Sequence, residues 1–148
     1  TGIGDSPYAS PSAFAGNPLL ISLEWLAGDG LLEPDDFAAM PDFHDWEVLF
    51  DQVAAFKWPL LRRAYHRFLA GRAPDEHEAF ERFKVAESYW LDDYALFMAC
   101  KSAYNNAPWS EWDEPLRTRT PAALTAARRE YHDEIEFHQF VQFQFLRQ

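Results

Sequence analysis

Cysteine is almost absent from the chain: Cys100 is the only one in 148 residues. A lone thiol excludes an internal disulfide framework and fits a reducing cytosol, so a cytoplasmic location is expected. Its neighbours in ALFMACK are apolar and lie on a predicted helix, which makes it a small buried core residue rather than a nucleophile. Long apolar runs are also missing, and none approaches the eighteen or so residues that suggest a membrane span. Basic residues are few, 13 Lys and Arg against 24 Asp and Glu. The net charge of −11 opposes any broad nucleic-acid or anionic-membrane surface, because both attract basic stretches. The chain opens at Thr1 without an initiator Met and closes on Gln148 inside a continuing pattern, which suggests a piece of a longer protein.

Reaction-centre motifs are missing too. No Ser stands in a GxSxG elbow, and there is no GxGxxG or Walker A loop. Five His invite a metal reading, but a di-metal bundle needs Glu-x-x-His pairs that project inward from facing helices. The residues three before the His are Pro41, Arg63, Pro74, Arg129 and Ile135, none of them a carboxylate. Neither HExxH nor a Cys/His zinc spacing occurs, so neither metal nor cofactor is expected. His138 lies four residues after Glu134, the spacing of a surface helix pair. Asp92 and Asp93 are adjacent and so point about 100° apart on a helix, unable to share a site. Asp35–Asp36 and Asp75–Glu76 are limited in the same way and read as solvated or helix-end charge.

What is abundant is apolar and aromatic. The chain is 48% hydrophobic and 17% aromatic, too rich for disorder and long enough for one domain with a real core. After an irregular opening, Leu19–Leu32 reads as a short strand or turn followed by a short helix that stops at Gly28 and Gly30. Glu33–Asp45 is an acidic connection with two Pro. Over Trp46–Leu69, residues Leu49, Val53, Phe56, Leu60, Ala64 and Phe68 share one helical face, and Pro59 predicts a kink or two consecutive helices. Gly71 ends that element, and Pro74 opens the next with Asp75, Glu76 and Glu78 near its positive end. Phe80, Phe83 and Ala86 form its apolar side. Ser88 is the expected N-cap of a helix through WLDDYALFMACKSAY. Asn105–Thr118 is loop, and Thr120 with Pro121 starts a last helix that can run to the end. The expectation is an all-α domain without a strong strand.

Two loops carry aromatic rings in polar surroundings. Gly4–Pro18, GDSPYASPSAFAGNP, fits neither a period of two nor one of 3.6 and sets Tyr8 and Phe14 among turn-forming residues. Loops of this length without regular structure are functional or disordered. Rings in such loops suit a sugar, whose apolar face stacks while Ser, Asn, Asp and backbone groups fix its hydroxyls. The competing reading is that Tyr8 and Phe14 pin the loop to the core. Trp109 and Trp112 in PWSEW, three residues apart, pose the same choice between a sugar platform and core anchoring.

The opening segment GDSPYASPSAFAGNPLLI resembles the segment that amylomaltase-type 4-α-glucanotransferases carry after the second strand of their barrel. The resemblance continues through VAAFKWPLLRRAY, WLDDYALFMACK, PWSEWDEPLRTR and EIEFHQFVQFQFLRQ, in order and without a large gap. It implies a helical insertion subdomain of a (β/α)8-barrel enzyme of the α-amylase clan, residues 1–18 a cleft-lining loop and 19–148 the helical part. Cleft loops of such barrels gather at the C-terminal face of the strands. By resemblance, Ser6 and Tyr8 line the donor side of the glucan cleft. Asp5, Phe14 and Asn17 match the same motif, where holding the loop is an equal alternative to touching substrate. The family's catalytic carboxylates have no counterpart here, so no catalytic residue is expected and the piece alone should be inactive. Its expected partners are an α-1,4-glucan or maltooligosaccharide and the remaining barrel. Ile3 stands where some members carry a Tyr of an accessory glucan surface, and it offers neither ring nor hydroxyl. The alternative is a non-catalytic carbohydrate-binding or scaffold module. Finally, Ile135, Phe137, Phe140, Val141, Phe143, Phe145 and Leu146 spread round most of a helix, which predicts apolar faces left to water and self-association through this end.

Overall fold

The computed structural model of the chain describes residues 12–37 and 50–148. Every regular element among them is helical. A 3-10 turn over Pro18–Leu20 leads into α1 (Leu23–Gly28), followed by a second 3-10 turn, Pro34–Phe37. The remaining helices are α2 (Phe50–Leu69), α3 (Pro74–Ala86), α4 (Ser88–Ala103), α5 (Glu114–Arg117), α6 (Pro121–Glu130) and α7 (His132–Arg147). A 3-10 turn, Trp109–Glu111, lies between α4 and α5.

The helix boundaries follow local chemistry. Ser22 caps α1 by accepting from the Trp25 N–H at 3.1 Å, and Thr120 caps α6 by accepting from Ala123. Gly71 adopts φ +90° just past α2, and Pro74 sits at the first position of α3. Three boundaries differ from the sequence reading. Pro59 does not divide α2, which runs unbroken; the carbonyl it frees belongs to Ala55, an exposed residue whose carbonyl water can satisfy. Ser88 is not a cap but the first residue of α4, because α3 and α4 join through Glu87 alone; its hydroxyl donates back to the Val85 carbonyl. The last helix is two, α6 and α7, meeting at Tyr131 with φ −103° and ψ 23°.

α7 is the central rod. It packs along α4 and also against α2, α3, α6 and the first 3-10 turn. The main core joins Ile21, Leu26 and Leu31 from the N-terminal turns to Leu61, Ala64 and Phe68 of α2, Phe80 of α3 and Phe137, Phe140 and Val141 of α7. The expected α2 face is therefore present from Leu60 to Phe68, with Val53 and Phe56 half-buried; Leu49 lies outside the described residues. A second cluster gathers Leu96, Cys100, Trp112 and Ala127, and Cys100 is buried as expected. A third gathers Trp90, Leu91 and Tyr94 against Ala15 and Phe83. Ala86, expected on the apolar side of α3, is exposed instead.

The expectation that α7 leaves apolar faces in water is corrected. Phe137, Phe140, Val141 and Phe143 are all inside the chain's own core, and Leu146 is the large apolar side chain of α7 left exposed. The N-terminal turns cover the extra face, since Lys57 of α2 donates to the carbonyls of Leu19 and Ile21 and the Gln148 side chain accepts from the Ser22 N–H at 2.7 Å. Self-association argued from exposed Phe rings thus loses its premise.

Candidate functional site

The segment leading out of the opening loop is fixed to the helical body at Gly16. The Gly16 N–H donates to Gln142 Oε1 at 2.8 Å, and Gln142 Nε2 donates to the Gly16 carbonyl at 3.1 Å. The second Nε2 hydrogen goes to Tyr94 Oη at 3.2 Å. Gln142 is wholly buried, and its side chain has every polar hydrogen committed. Burial pushes the Tyr94 phenol up to about 12, so it stays neutral and serves as a fixed acceptor. A Cβ on Gly16 would fall within the Phe145 ring, so any other residue here must displace that ring or the backbone.

Neighbouring residues extend the clamp. Asn17 accepts from the Leu19 N–H at 3.0 Å and caps the first 3-10 turn. Phe14 meets Tyr89 edge-on at 5.5 Å and stacks on Trp90 at 6.2 Å, yet remains 58% exposed. Phe14 is thus both seated on α4 and open to solvent. Ser6, Tyr8 and Asp5 lie outside the described residues. Trp109 and Trp112 are separated by their turn. Trp112 is buried between Phe97 and Tyr104 and donates from Nε1 to the Ala107 carbonyl, whereas Trp109 is 57% exposed. The two indoles form no shared platform.

A cleft of about 600 Å³ opens between α2, α4 and α7, lined by Trp58, Arg62, Met98, Lys101, Glu134 and His138 among others. Glu134 and His138 are not a surface pair. His138 is buried, its Nε2 3.4 Å from Glu134 Oε1, while Arg62 pairs with the same carboxylate at 2.8 Å and lies over the Phe137 ring. The nearby His138 ring and the Arg62 guanidinium together outweigh burial and hold the Glu134 carboxyl at about 2, and burial pushes the His138 imidazole below its usual value. A carboxylate so held is a poor base near neutrality. Retaining glycoside chemistry needs two carboxyl groups about 5–5.5 Å apart, and Glu134 is the one carboxyl among the described lining residues. No group of three or more His, Cys, Asp or Glu among the described residues could hold a metal, and no described helix is long and apolar enough to cross a membrane.

The family model described as 4-alpha-glucanotransferase matches residues 1–148, the whole chain. The chain belongs to this family. It is 46% identical over its full length to the 4-alpha-glucanotransferase of Thermus thermophilus and 42% identical to that of a Synechocystis strain, spanning 29% of each. Amylomaltase from Streptococcus agalactiae, solved in complex with acarbose, superposes with a TM-score of 0.84 at 32% identity. That likeness covers 96% of this chain and 28% of the other. The chain therefore has the fold of one segment of a family enzyme and spans less than a third of its relatives' length.

Sequence reasoning passed over the side chains that hold the segment. These are Gln142, within EIEFHQFVQFQFLRQ, and Tyr94, within WLDDYALFMACK. The available signal was Gln142 and Gln144 alternating with Phe at the end of a helix apolar on its other faces.

Proposed function

We propose that this chain is the part of a 4-α-glucanotransferase that carries and supports a substrate loop. The parent would move α-1,4-glucan segments from donor to acceptor sugars through a covalent glycosyl intermediate, with its carboxylates on barrel segments outside this chain. Residues 1–18 form the cleft-lining loop in this reading and 19–148 its helical support. Ser6 and Tyr8 face the donor side of the cleft, the ring of Tyr8 taking the apolar face of a glucose unit and Ser6 a hydroxyl. Asp5, Phe14 and Asn17 hold the loop's shape, with Phe14 also open to a sugar. The chain contributes binding and exclusion of water, not attack or proton transfer. Its neighbours are the maltooligosaccharide substrate and the remaining barrel, in a cytoplasmic setting that suits a single buried thiol.

The observation that carries this reading is the family match along the whole chain, joined to an opening segment fixed at Gly16 rather than loosely tethered. The test uses the full-length parent with maltotriose. Transfer products are expected from the parent and none from residues 1–148 alone. Tyr8→Ala in the parent should lower turnover strongly with little change in thermal midpoint. A fall in stability of several kcal/mol, as for a truncated core aromatic, would make Tyr8 an anchor instead.

A further inference from the structure

The cleft between α2, α4 and α7 has no pair of carboxyl groups among its described lining residues, so it is no place for glycoside chemistry. Its wall is nevertheless organised for binding. At about 600 Å³ it falls within the roughly 300–1,000 Å³ of sites for small organic molecules. Trp58 supplies a half-buried ring, backed by Phe137 at 6.1 Å and set edge-on to His138 at 6.0 Å. Arg62 lies over the Phe137 ring and pairs with Glu134 at 2.8 Å, which fixes a guanidinium beside a carboxylate while both stay partly open to solvent. His138 is 3% exposed, and its Nε2, 3.4 Å from Glu134 Oε1, has no aligned hydrogen-bond partner among the described residues. At the end of α4, Asn105 and Asn106 take left-handed φ of 52° and 62°, and the turn brings Asn106 into the lining. The Asn106 amide, the Lys101 ammonium and the Trp58 indole N–H make no hydrogen bond to a described residue.

The wall discriminates between ligand classes. An apolar molecule would strip water from these polar groups and return nothing. An anion would gain Lys101 but would face the Glu134 carboxylate, which His138 and Arg62 keep ionised. A sugar ring matches each part of the wall. Its apolar face fits an indole, and two adjacent hydroxyls can each donate to a carboxylate and accept from a guanidinium. We infer that this cleft is a binding site for a pyranose sugar, with Trp58 the stacking ring and the Arg62–Glu134 pair the holder of neighbouring hydroxyls. Asn106 and Lys101 reach the outer hydroxyls. The site goes beyond the functional reading above and is separate from the attachment of the opening segment: Gln142 lies about two turns further along α7, roughly 12 Å along its axis.

The test is site-resolved acylation of the full-length enzyme. Lys101 is half-buried, and its rate of acetylation by an N-hydroxysuccinimide ester is read from its peptide by mass spectrometry. The probe is maltotriose, which stays a mixture of α-1,4-glucans however far transfer proceeds. A ligand at about ten times its dissociation constant leaves roughly a tenth of its sites open, so Lys101 acylation should slow about tenfold. Lys84, paired with Glu81 and with Glu136 on another face of α7, should react at an unchanged rate. Trp58→Ala removes the ring, and Asn106→Gly removes the amide while suiting the left-handed backbone. Each should raise the half-protecting concentration about tenfold, the scale of one lost ring contact or hydrogen bond. Absence of saturable protection overturns the proposal, and so does protection that survives both variants. Sodium phosphate protecting Lys101 as well as maltotriose does also overturns it, because the cleft would then be an anion site. Should Trp58→Ala not fold, Asn106→Gly decides. An enzyme that transfers no glucan would end the functional reading and leave this test intact.

Discussion

Replacing Gly16 by Ala puts a methyl group where the Phe145 ring lies. Gly16 has no positive φ, so backbone strain adds nothing and the cost is steric. Overpacking a well-packed site costs about 1–3 kcal/mol. The lower part of that range applies here, because Phe145 is only half-buried, α7 ends at Arg147, and the ring has some room to yield. Loss of glycine's unfolded-state freedom returns about 0.4–1 kcal/mol. If the peptide lifts instead of the ring, the two bonds to Gln142 lengthen, and each carries about 0.5–1.5 kcal/mol. The ring route then gives a net loss of about 0–1.5 kcal/mol and the peptide route about 0–2.5 kcal/mol. Phe145→Ala alone removes a half-buried ring and should cost about 1–3 kcal/mol, below the range for a fully buried Phe. Combined, the new methyl fills part of the space the ring leaves, so the double variant should be more stable than the sum of the singles predicts by about 1 kcal/mol. Urea unfolding of the four proteins, compared at equal m-values, measures this coupling. Additivity within about 0.3–0.5 kcal/mol would refute the claim that Gly16 and Phe145 share one space.

The parts of the fold readable in the sequence are those set by residues acting on their own turn. Gly71, Pro74, Thr120 and Pro121 each mark a helix boundary where expected, because left-handed backbone, fixed φ and a capping hydroxyl work within a few residues. Ser88 misled for the complementary reason: a cap is needed only where the preceding chain is not already helical. At Pro59 the reading of two consecutive helices gave way to one continuous α2. α7 was the largest misreading, since its extra apolar faces were expected in solvent and instead share a core with Ile21, Leu26 and Leu31, from α1 and the short segments on either side of it. The candidate site divides in the same way. Phe14 and Asn17 could be named from turn chemistry and motif, whereas the role of Gln142 could not, because alternation with Phe marks a buried amide but not its partner, and Gly16 lies 126 residues away. Asp5, Ser6 and Tyr8 rest on the motif alone.

The two Trp of PWSEW should separate cleanly by urea unfolding: Trp112→Ala costs about 3–5 kcal/mol, as for a buried aromatic, and Trp109→Ala within about 0.5 kcal/mol, as for an exposed position. Equal costs would contradict the burial of Trp112 between Phe97 and Tyr104. Acid sensitivity follows from the Glu134 carboxyl, held at about 2 against an ordinary 4.5 by His138 and Arg62. A lowered folded-state value means stability that is present above pH 4.5 and lost as pH falls toward 2, about 1–3 kcal/mol at 1.36 kcal/mol per unit once its partial exposure is allowed for. His138, held neutral by burial, adds a loss that begins at higher pH, near its ordinary 6.5, since the unfolded chain takes up the proton first. Glu134→Gln should therefore remove the Glu134 step between pH 4.5 and 2 while the loss that His138 contributes below its ordinary 6.5 persists and deepens, because the carboxylate that favours its protonated form is gone, and a profile parallel to the unaltered chain throughout would refute the assignment of acid lability to this buried pair.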